Sequence, residues 1–521
     1  MMLRVLLVYF CLVGSSLADW YSSIGLMEEL LHRELDLLSY VKEYISEEER
    51  KLSQVKSVVD GVSGEVGEAL TDVEEYLGHP VNQYALLKRL NLEFEMMDQL
   101  TEKNDAILEQ VLEARDEFPN ENDLKGSAKA ILRLQKTYKL DANQIAAGVI
   151  KDSYSGRSLS ADDCYKIGLV ACGNKDYQYC ASWLEEAYTR IMGGDASCEW
   201  SIVLRYLASA YHELGKFDDA VVIFAEVTKH KPNDIAIRAN YEYYKDLSEQ
   251  ANTNAKDFDD VEMEEQDEGL NLYERLCREG GDDLPKHVQK QLKCYYWNNN
   301  NPYLRLQRLK MEELWNSPHI VRFYDIIFDK EIEVIKNLSK PNLDRATVHN
   351  PSTGALENVE YRVSKTAWLE DSDHEIVRRV SERISMVTGL SMTTSESLQI
   401  SNYGVGGQYE PHTDFSLRKK KSSIENKLGH RMATVLFYLS NVEQGGATVF
   451  LDAKIAVYPI KGSAVFWYNL YPSGEGDGRT VHAACPVLTG VKWVANKWIH
   501  EYEQELRRPC KLDENADNRI F

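Results

Sequence analysis

The chain has 521 residues, too many for one hydrophobic core, so about two to four domains are expected. Its formal net charge of −23 argues against a nucleic-acid binder, whose electrostatic footprint would be basic, and suits a cationic or neutral polypeptide substrate. A hydrophobic content of 43% is that of a globular protein.

Residues 1–18 read as a secretory signal peptide: Met1 to Arg4, an apolar run from Val5 to Val13, then Ser16-Leu17-Ala18 with small residues at the cleavage positions. That run is too short to span a bilayer, and no later segment has roughly eighteen uninterrupted apolar residues, so no membrane span is expected. Of nine cysteines only Cys11 would leave with the leader, placing the rest in an oxidising compartment. The closing Asn518-Arg519-Ile520-Phe521 is not an ER-retention signal, so a luminal chain would travel onward or be held by a partner. Asn337-Leu338-Ser339 is a glycosylation sequon and predicts that Asn337 is exposed.

Residues 19–150 form a helical region. Leu26, Leu30, Leu31, Leu35, Leu38, Val41 and Ile45 recur at helical spacing between Glu28, Glu29, Glu34 and Glu47 to Arg50, giving an amphipathic helix with a narrow apolar seam. Such a seam wants a partner helix, either within an intramolecular bundle or on a second copy. After a Gly-His-Pro turn at 78–80 come further helices, one carrying Leu86, Leu87, Leu90, Leu92 and Met96, another Ala128, Ile131, Leu132 and Leu134.

Residues 155–250 resemble tetratricopeptide helix pairs. Leu207, Ala208, Tyr211, Ala220, Phe224 and Pro232 fall at the repeat's signature offsets, and Ile167, Gly168, Leu184 and Ala187 mark an earlier, less regular pair. Two pairs and a closing helix are short for a free solenoid, so packing against other domains is expected. Tyr206, Tyr211, Tyr241, Tyr243 and Tyr244 could line a concave groove suited to polyproline II peptides, or else fill helix interfaces, as Tyr211 does at its signature offset.

Residues 251–316 read as a linker and loop. The run from Asp257 to Glu268 is too charged to pack. Cys277 and Cys294 then bracket a polar segment, read as a disulfide loop with free thiols or a metal site as alternatives, although neither has a CxxC partner. Cys164, Cys172, Cys180 and Cys198 in the helical repeats allow three pairings that sequence cannot separate.

Residues 317–510 change texture to short apolar or alternating runs, 320–328, 398–403, 434–440, 447–451, 455–458, 464–468 and 492–499, punctuated by glycines. That is the pattern of a double-stranded β-helix, or jelly roll, with flanking helices such as 375–387. A tail, 511–521, follows. The fold class is therefore multidomain α + β. His412 and Asp414, two apart on one strand, would point to the same face, and His482 from a neighbouring strand would complete a two-His, one-carboxylate set, the ligands of non-haem Fe(II) oxygenases. Lys492 lies ten residues after His482, and a strand-turn-strand hairpin would let it face the same interior. Fe(II) with one carboxylate and two neutral imidazoles keeps one positive charge, which a dicarboxylate held by one lysine cancels, so the buried site is neutral. Alternation puts Lys492, Val494, Asn496 and Trp498 on one face and turns Lys497 away.

The segments 402–414, 445–450, 464–469 and 482–492 resemble the catalytic domain of collagen prolyl 4-hydroxylase α subunits, of the iron and 2-oxoglutarate dioxygenase superfamily. The likeness runs along the mature chain through Ser23-Ile24-Gly25, Gly-His-Pro-Val-Asn at 78–82 and Lys-Arg-Leu-Asn at 88–91. The resemblance implies dimerisation through the N-terminal region and binding of a proline-rich, collagen-like peptide in the helical repeats. Tyr206, Arg238, Tyr241, Tyr243 and Tyr244 are the candidate contacts there, although Glu242 and Lys245 depart from the family's pattern. It implies Fe(II) on His412, Asp414 and His482, and Lys492 on the distal carboxylate of 2-oxoglutarate. Tyr403 and Thr434 would assist that carboxylate, and Tyr409 and Trp498 would shape the peptide side. It also pairs Cys485 with Cys510. The basic run 418–421 would be solvated surface or a mobile lid. The implied activity is hydroxylation of proline at C4 with conversion of 2-oxoglutarate and O2 to succinate and CO2. Ascorbate is the implied reductant, and protein disulfide isomerase in an α2β2 assembly in the endoplasmic reticulum lumen the implied partner. The rival readings are a 2-oxoglutarate hydroxylase of lysines or non-collagen prolines, and a luminal peptide-binding chaperone with a vestigial barrel.

Overall fold

The structure, a computed structural model, describes residues 22–71, 121–513 and 519, apart from 152, 155–157, 231, 255–267, 282–283, 350–355, 360 and 417–426. It divides into two compact units, 26–120 and the rest. In the first unit the described residues belong to one helix, α1 (Ile24–Thr71). Leu31, Leu35, Leu38 and Ile45 of its seam are exposed in the single chain. The segments at 78–82 and 86–96 lie outside the described residues.

The second unit takes in residues 22–25 and, from 121 onward, α2 (Glu121–Tyr138) and the repeats α3 (Ala161–Gly173), α4 (Tyr177–Met192), α5 (Trp200–Glu213), α6 (Phe217–His230) and α7 (Ile235–Asn254). Their core is built from the signature positions: Ile167, Leu184, Ala187, Leu207, Ala208, Ala220 and Phe224 are buried together. Ser160 starts α3 with a reciprocal cap, its hydroxyl accepting from Asp163 N while the Asp163 carboxylate accepts from Ser160 N. Of the four cysteines here, Cys172 and Cys180 join α3 to α4, while Cys164 is buried and free and Cys198 is free.

Helix α2 falls within the expected N-terminal region, 19–150. Its Ala128 and Leu132 pack into the repeat core and its Leu134 and Tyr138 against Leu488, so it bridges repeats and barrel. Trp183 Nε1 donates to Gln135 Oε1 at 2.8 Å, Arg133 donates to Gly406 O at 2.7 Å and the Tyr138 hydroxyl to Pro486 O at 2.6 Å. Gly406 sits at φ +70°, and a Cβ there would meet Ala130 at 2.8 Å, so glycine is required by both backbone and neighbour.

The barrel is two facing sheets. The major sheet comprises β1 (Cys294–Trp297), β2 (Leu309–Asn316), β3 (His319–Tyr324), β4 (Asp344–Arg345), β5 (Lys365–Leu369), β6 (Leu398–Tyr403), β8 (Arg431–Tyr438), β11 (Ala464–Tyr468) and β13 (Lys492–His500). Among the described residues its order is β1-β2-β3-β11-β8-β13-β6-β5-β4. The minor sheet runs β7-β12-β9-β10 and comprises β7 (Tyr409–His412), β9 (Thr448–Phe450), β10 (Ile455–Val457) and β12 (His482–Ala484). Side-chain alternation sorts the major sheet into two cores. Ala433, Val435, Phe437, Trp493, Ala495 and Ile499 pack outward with α9 (Asp329–Ser339) and α10 (Glu375–Thr388). Tyr403, Leu436, Tyr438, Trp467 and Val494 face inward onto Phe450, Ile455 and Val457 of the minor sheet.

The barrel also begins earlier than position 317, since β1 and β2 are strands of its major sheet. The stretch expected as linker holds α8 (Glu268–Glu279), whose Tyr273, Leu276 and Cys277 cover Ala447, Val449, Ala483 and Cys485 on the back of the minor sheet. That packing overturns both expected cysteine pairs. Cys277 bonds Cys485, and Cys294 and Cys510 are free and exposed. The acidic run 257–267 lies outside the described residues. Asn337 is exposed in the last turn of α9, and no described helix is long and apolar enough to cross a membrane.

Candidate metal centre

His412 and His482 are direct cross-strand partners on β7 and β12, which brings two imidazoles together inside the barrel. β7 ends at His412, so Asp414 enters from the following turn and not from the same strand. It comes to the same point: His412 Nε2 lies 3.8 Å from Asp414 Oδ1, and His482 Nε2 lies 3.8 Å from Asp414 Oδ2. The three donor atoms are within 4.8 Å of one another, and ligand bonds of about 2 Å to one ion can span the two carboxylate gaps.

Both tautomers are set by the backbone. His412 Nδ1 faces Glu410 O at 2.8 Å and His482 Nδ1 faces Thr480 O at 3.0 Å. A ring N–H donated to a carbonyl leaves the other nitrogen's lone pair free for a metal. Burial, then the neighbouring His482, pulls the His412 pKa below the ordinary histidine value. Burial alone would raise that of Asp414, but His482 and His412 beside it hold it below the usual carboxylate range. A neutral imidazole and an ionised carboxylate are the protonation states a metal requires, so the residues present fit Fe(II).

Thr434 donates its hydroxyl to Asp414 Oδ2 at 2.7 Å and accepts from Asn469 Nδ2 at 2.9 Å. The Thr434 hydroxyl thus ties Asn469 to the Asp414 carboxylate. Aromatic walls enclose the centre: Tyr409 stacks on His412 with ring centroids 3.6 Å apart, Trp467 lies 4.8 Å from His482, and Phe450 5.7 Å.

Lys492 is not on a hairpin with His482. Pro486 interrupts the run after β12, the chain crosses between sheets, and Lys492 opens β13 in the opposite sheet, from which it still points inward. It is 1% exposed, and its Nζ has no hydrogen-bond partner. The Tyr403 ring lies 4.9 Å from that nitrogen, and burial pushes the Tyr403 hydroxyl up to about 12. Desolvation pulls the Lys492 ammonium down to about 7. Gly446, beside the lysine stem, sits at φ +65°, a left-handed backbone that favours glycine. An unpartnered ammonium in an apolar chamber fits a carboxylate brought in by a small molecule. Lys497 faces away, 3.7 Å from Asp371, as its alternation required.

Trp498 lies under the Arg431 guanidinium at 3.8 Å and 6.0 Å from the half-exposed Trp368. Arg431 is paired with Glu396, which also lies 3.0 Å from His500 Nε2. Burial would raise the Glu396 carboxyl, yet Arg431 and His500 hold it at about 2. Sequence reasoning missed this cluster, and missed Arg362, whose guanidinium lies 4.7 Å from the Tyr409 ring and bonds Gln399 at 3.0 Å. The available signal was alternation along β13, which puts His500 on the face of Lys492 and Trp498.

In the repeats, Tyr206 and Tyr243 are exposed at 42% and 53%, and Arg238 is exposed. Tyr244 stacks on Phe224 at 4.9 Å and, with Tyr241, packs against the helix core.

A barrel interior of this kind is that of a 2-oxoglutarate-dependent Fe(II) oxygenase. Three family models match the chain: "Prolyl 4-Hydroxylase alpha-subunit, N-terminal region" over residues 23–152, "Prolyl 4-hydroxylase peptide-substrate-binding domain" over 161–250, and "2OG-Fe(II) oxygenase superfamily" over 398–500. The curated prolyl 4-hydroxylase subunit alpha-1 of Mus musculus is 43% identical, over 98% of this chain and 100% of its own length. That of Homo sapiens is 42% identical over the same shares. Subunit alpha-2 of Caenorhabditis elegans is 38% identical over 100% of this chain and 98% of its own. The chain belongs to the prolyl 4-hydroxylase alpha-subunit family.

Proposed function

We propose that the chain is the catalytic α subunit of a procollagen-proline 4-dioxygenase, hydroxylating proline at C4 in Gly-X-Pro-Gly-type sequences with decarboxylation of 2-oxoglutarate to succinate. The observation that carries this reading is the unpartnered Lys492 ammonium, enclosed in the same chamber as His412, Asp414 and His482. Iron(II), when bound, supplies the redox chemistry that couples O2 and the keto acid to hydroxylation.

The protein's part is placement and exclusion. His412, Asp414 and His482 would hold the ion on one face. Thr434 and Asn469 fix the carboxylate's orientation. Lys492 would bind the distal carboxylate of 2-oxoglutarate, with the Tyr403 ring beside it. Tyr409, Trp467 and Phe450 keep water from the centre. Tyr206, Tyr243 and Arg238 would meet the peptide as an already extended polyproline II chain, which loses little entropy on docking. Ascorbate as reductant, protein disulfide isomerase as the partner in an α2β2 assembly, and the endoplasmic reticulum lumen complete the proposal.

The test is turnover of (Pro-Pro-Gly) repeats with Fe(II), 2-oxoglutarate and ascorbate after co-expression with the isomerase. The expected result is 4-hydroxyproline and succinate in equal amounts. Succinate without hydroxyproline, or hydroxylation of lysine alone, overturns it.

A further inference from the structure

Ser23-Ile24-Gly25 marks the family in the sequence, and the site described above gives it no task. The structure brings it to the strand that carries Tyr403. Asn402, on β6, is fully buried and stands opposite Trp493, and the next pair in the register is Tyr403 with Lys492. Its amide faces away from the barrel interior, towards Trp493 and Gly25.

Two donors converge on one end of that amide: Ser23 Oγ at 2.6 Å and Gly25 N at 3.1 Å. That end must therefore be the oxygen, which fixes the amide's orientation. The nitrogen is left to donate to the main-chain carbonyl of Lys492 at 3.3 Å. One residue on, Gly404 N donates to Ser22 O at 2.9 Å. Ser22 and Ser23 are fully buried, and a Cβ on Gly25 would press on the Trp493 ring at 3.1 Å.

Lys492 is the first residue of its strand, two after Gly490 at φ +90°. An ammonium on a flexible four-carbon stem is placed by its main chain. A bond that fixes the carbonyl of Lys492 therefore fixes the position from which Nζ reaches inward. We infer that Asn402 is a positioning residue for the 2-oxoglutarate anchor, and that the segment 22–25 is the clip that orients it. This inference rests on the reading of Lys492 as that anchor.

Asn402→Asp keeps the acceptor for Ser23 and Gly25 but removes the donor to Lys492. Ser23→Ala removes one of the two contacts that orient the amide. Each is compared with the parent and with Lys492→Met in the full assembly. The measurements are the Kd for 2-oxoglutarate by calorimetry with Fe(II) under anaerobic conditions, the KM for 2-oxoglutarate and for peptide, and kcat. Losing one hydrogen bond should weaken 2-oxoglutarate in Asn402→Asp by up to roughly tenfold, and in Ser23→Ala by about two- to threefold. The KM for peptide and kcat at saturating 2-oxoglutarate should stay within about twofold of the parent. Parental 2-oxoglutarate affinity in Asn402→Asp, with Lys492→Met impaired, overturns the positioning role alone. Parental affinity in Lys492→Met overturns the anchor and this role with it. If Asn402→Asp does not fold, Ser23→Ala decides: unchanged affinity refutes the clip.

Discussion

Replacing Lys492 with methionine should move stability and activity in opposite directions. The side chain is 1% exposed, its Nζ has no hydrogen-bond partner, and desolvation pulls its pKa from 10.5 to about 7. The unfolded chain keeps the higher value. Between pH 7 and 10.5 the unfolded state therefore binds the extra proton, and stability rises with pH; below pH 7 both states are protonated and the folded state bears the full cost of the buried charge. At about 1.4 kcal/mol per pH unit, that cost is on the order of 3–5 kcal/mol at neutral pH. Methionine fills similar volume without charge. With about 2–4 °C per kcal/mol for a domain of this size, the variant should melt roughly 6–20 °C above the parent at pH 7 without co-substrate. The gap should close as pH rises towards 10.5. Added 2-oxoglutarate should raise the melting point of the parent and leave the variant unmoved, and the variant should not decarboxylate. Differential scanning fluorimetry across pH, with and without 2-oxoglutarate, reads all of this. A variant that melts below the parent at pH 7, or still responds to 2-oxoglutarate, refutes the reasoning.

Thr434→Val removes the bond that orients Asp414 and should weaken Fe(II) binding about 10- to 100-fold with little change in fold, read as the Fe(II) dependence of succinate formation. Cys277→Ser and Cys485→Ser should each destabilise the catalytic domain by about 2–4 kcal/mol in thermal melts, because the bond closes a separation of 208 residues; Cys294→Ser and Cys510→Ser should be silent, and peptide mapping that finds Cys277 bound to Cys294 contradicts the pairing. Arg431→Met leaves Glu396 buried without its cation and should cost about 3–5 kcal/mol near neutral pH. Because the Glu396 pKa is depressed from 4.5 to about 2, the stabilisation is complete above 4.5 and lost as pH falls through 2, so the difference between parent and variant in acid melts should shrink there.

The two-sheet barrel was legible from short-range regularity, whereas Asp414 reaches the centre from a turn and Lys492 from the opposite sheet, by routes that alternation and a hairpin did not foresee. Strand alternation sorts Lys492 from Lys497, and glycines punctuate the strands. The repeats were legible from signature offsets that became the buried core, as with Leu207 and Phe224. What escaped the sequence depends on contacts distant along the chain. Helix α8 follows an acidic run, and its Leu272, Tyr273, Leu276 and Cys277 reveal their purpose once the back of the minor sheet is known. The cysteine pairing followed from that packing and could not be read from spacing. The bond from Thr434 to Asp414 also escaped the sequence, because a hydroxyl's partner is decided over an ångström or two. Asn402 looked like any polar residue in a strand until Ser23 and Lys492, far from it in sequence, were seen to share its amide.

The central claim is that His412, Asp414 and His482 bind one iron. Anaerobic Fe(II) titration of the parent, of the three single alanine variants and of Lys492→Met tests it directly by metal content per chain. The account predicts one Fe(II) per chain in the parent and in Lys492→Met, and loss of it in each alanine variant. Full iron content in any of the three alanine variants would contradict it.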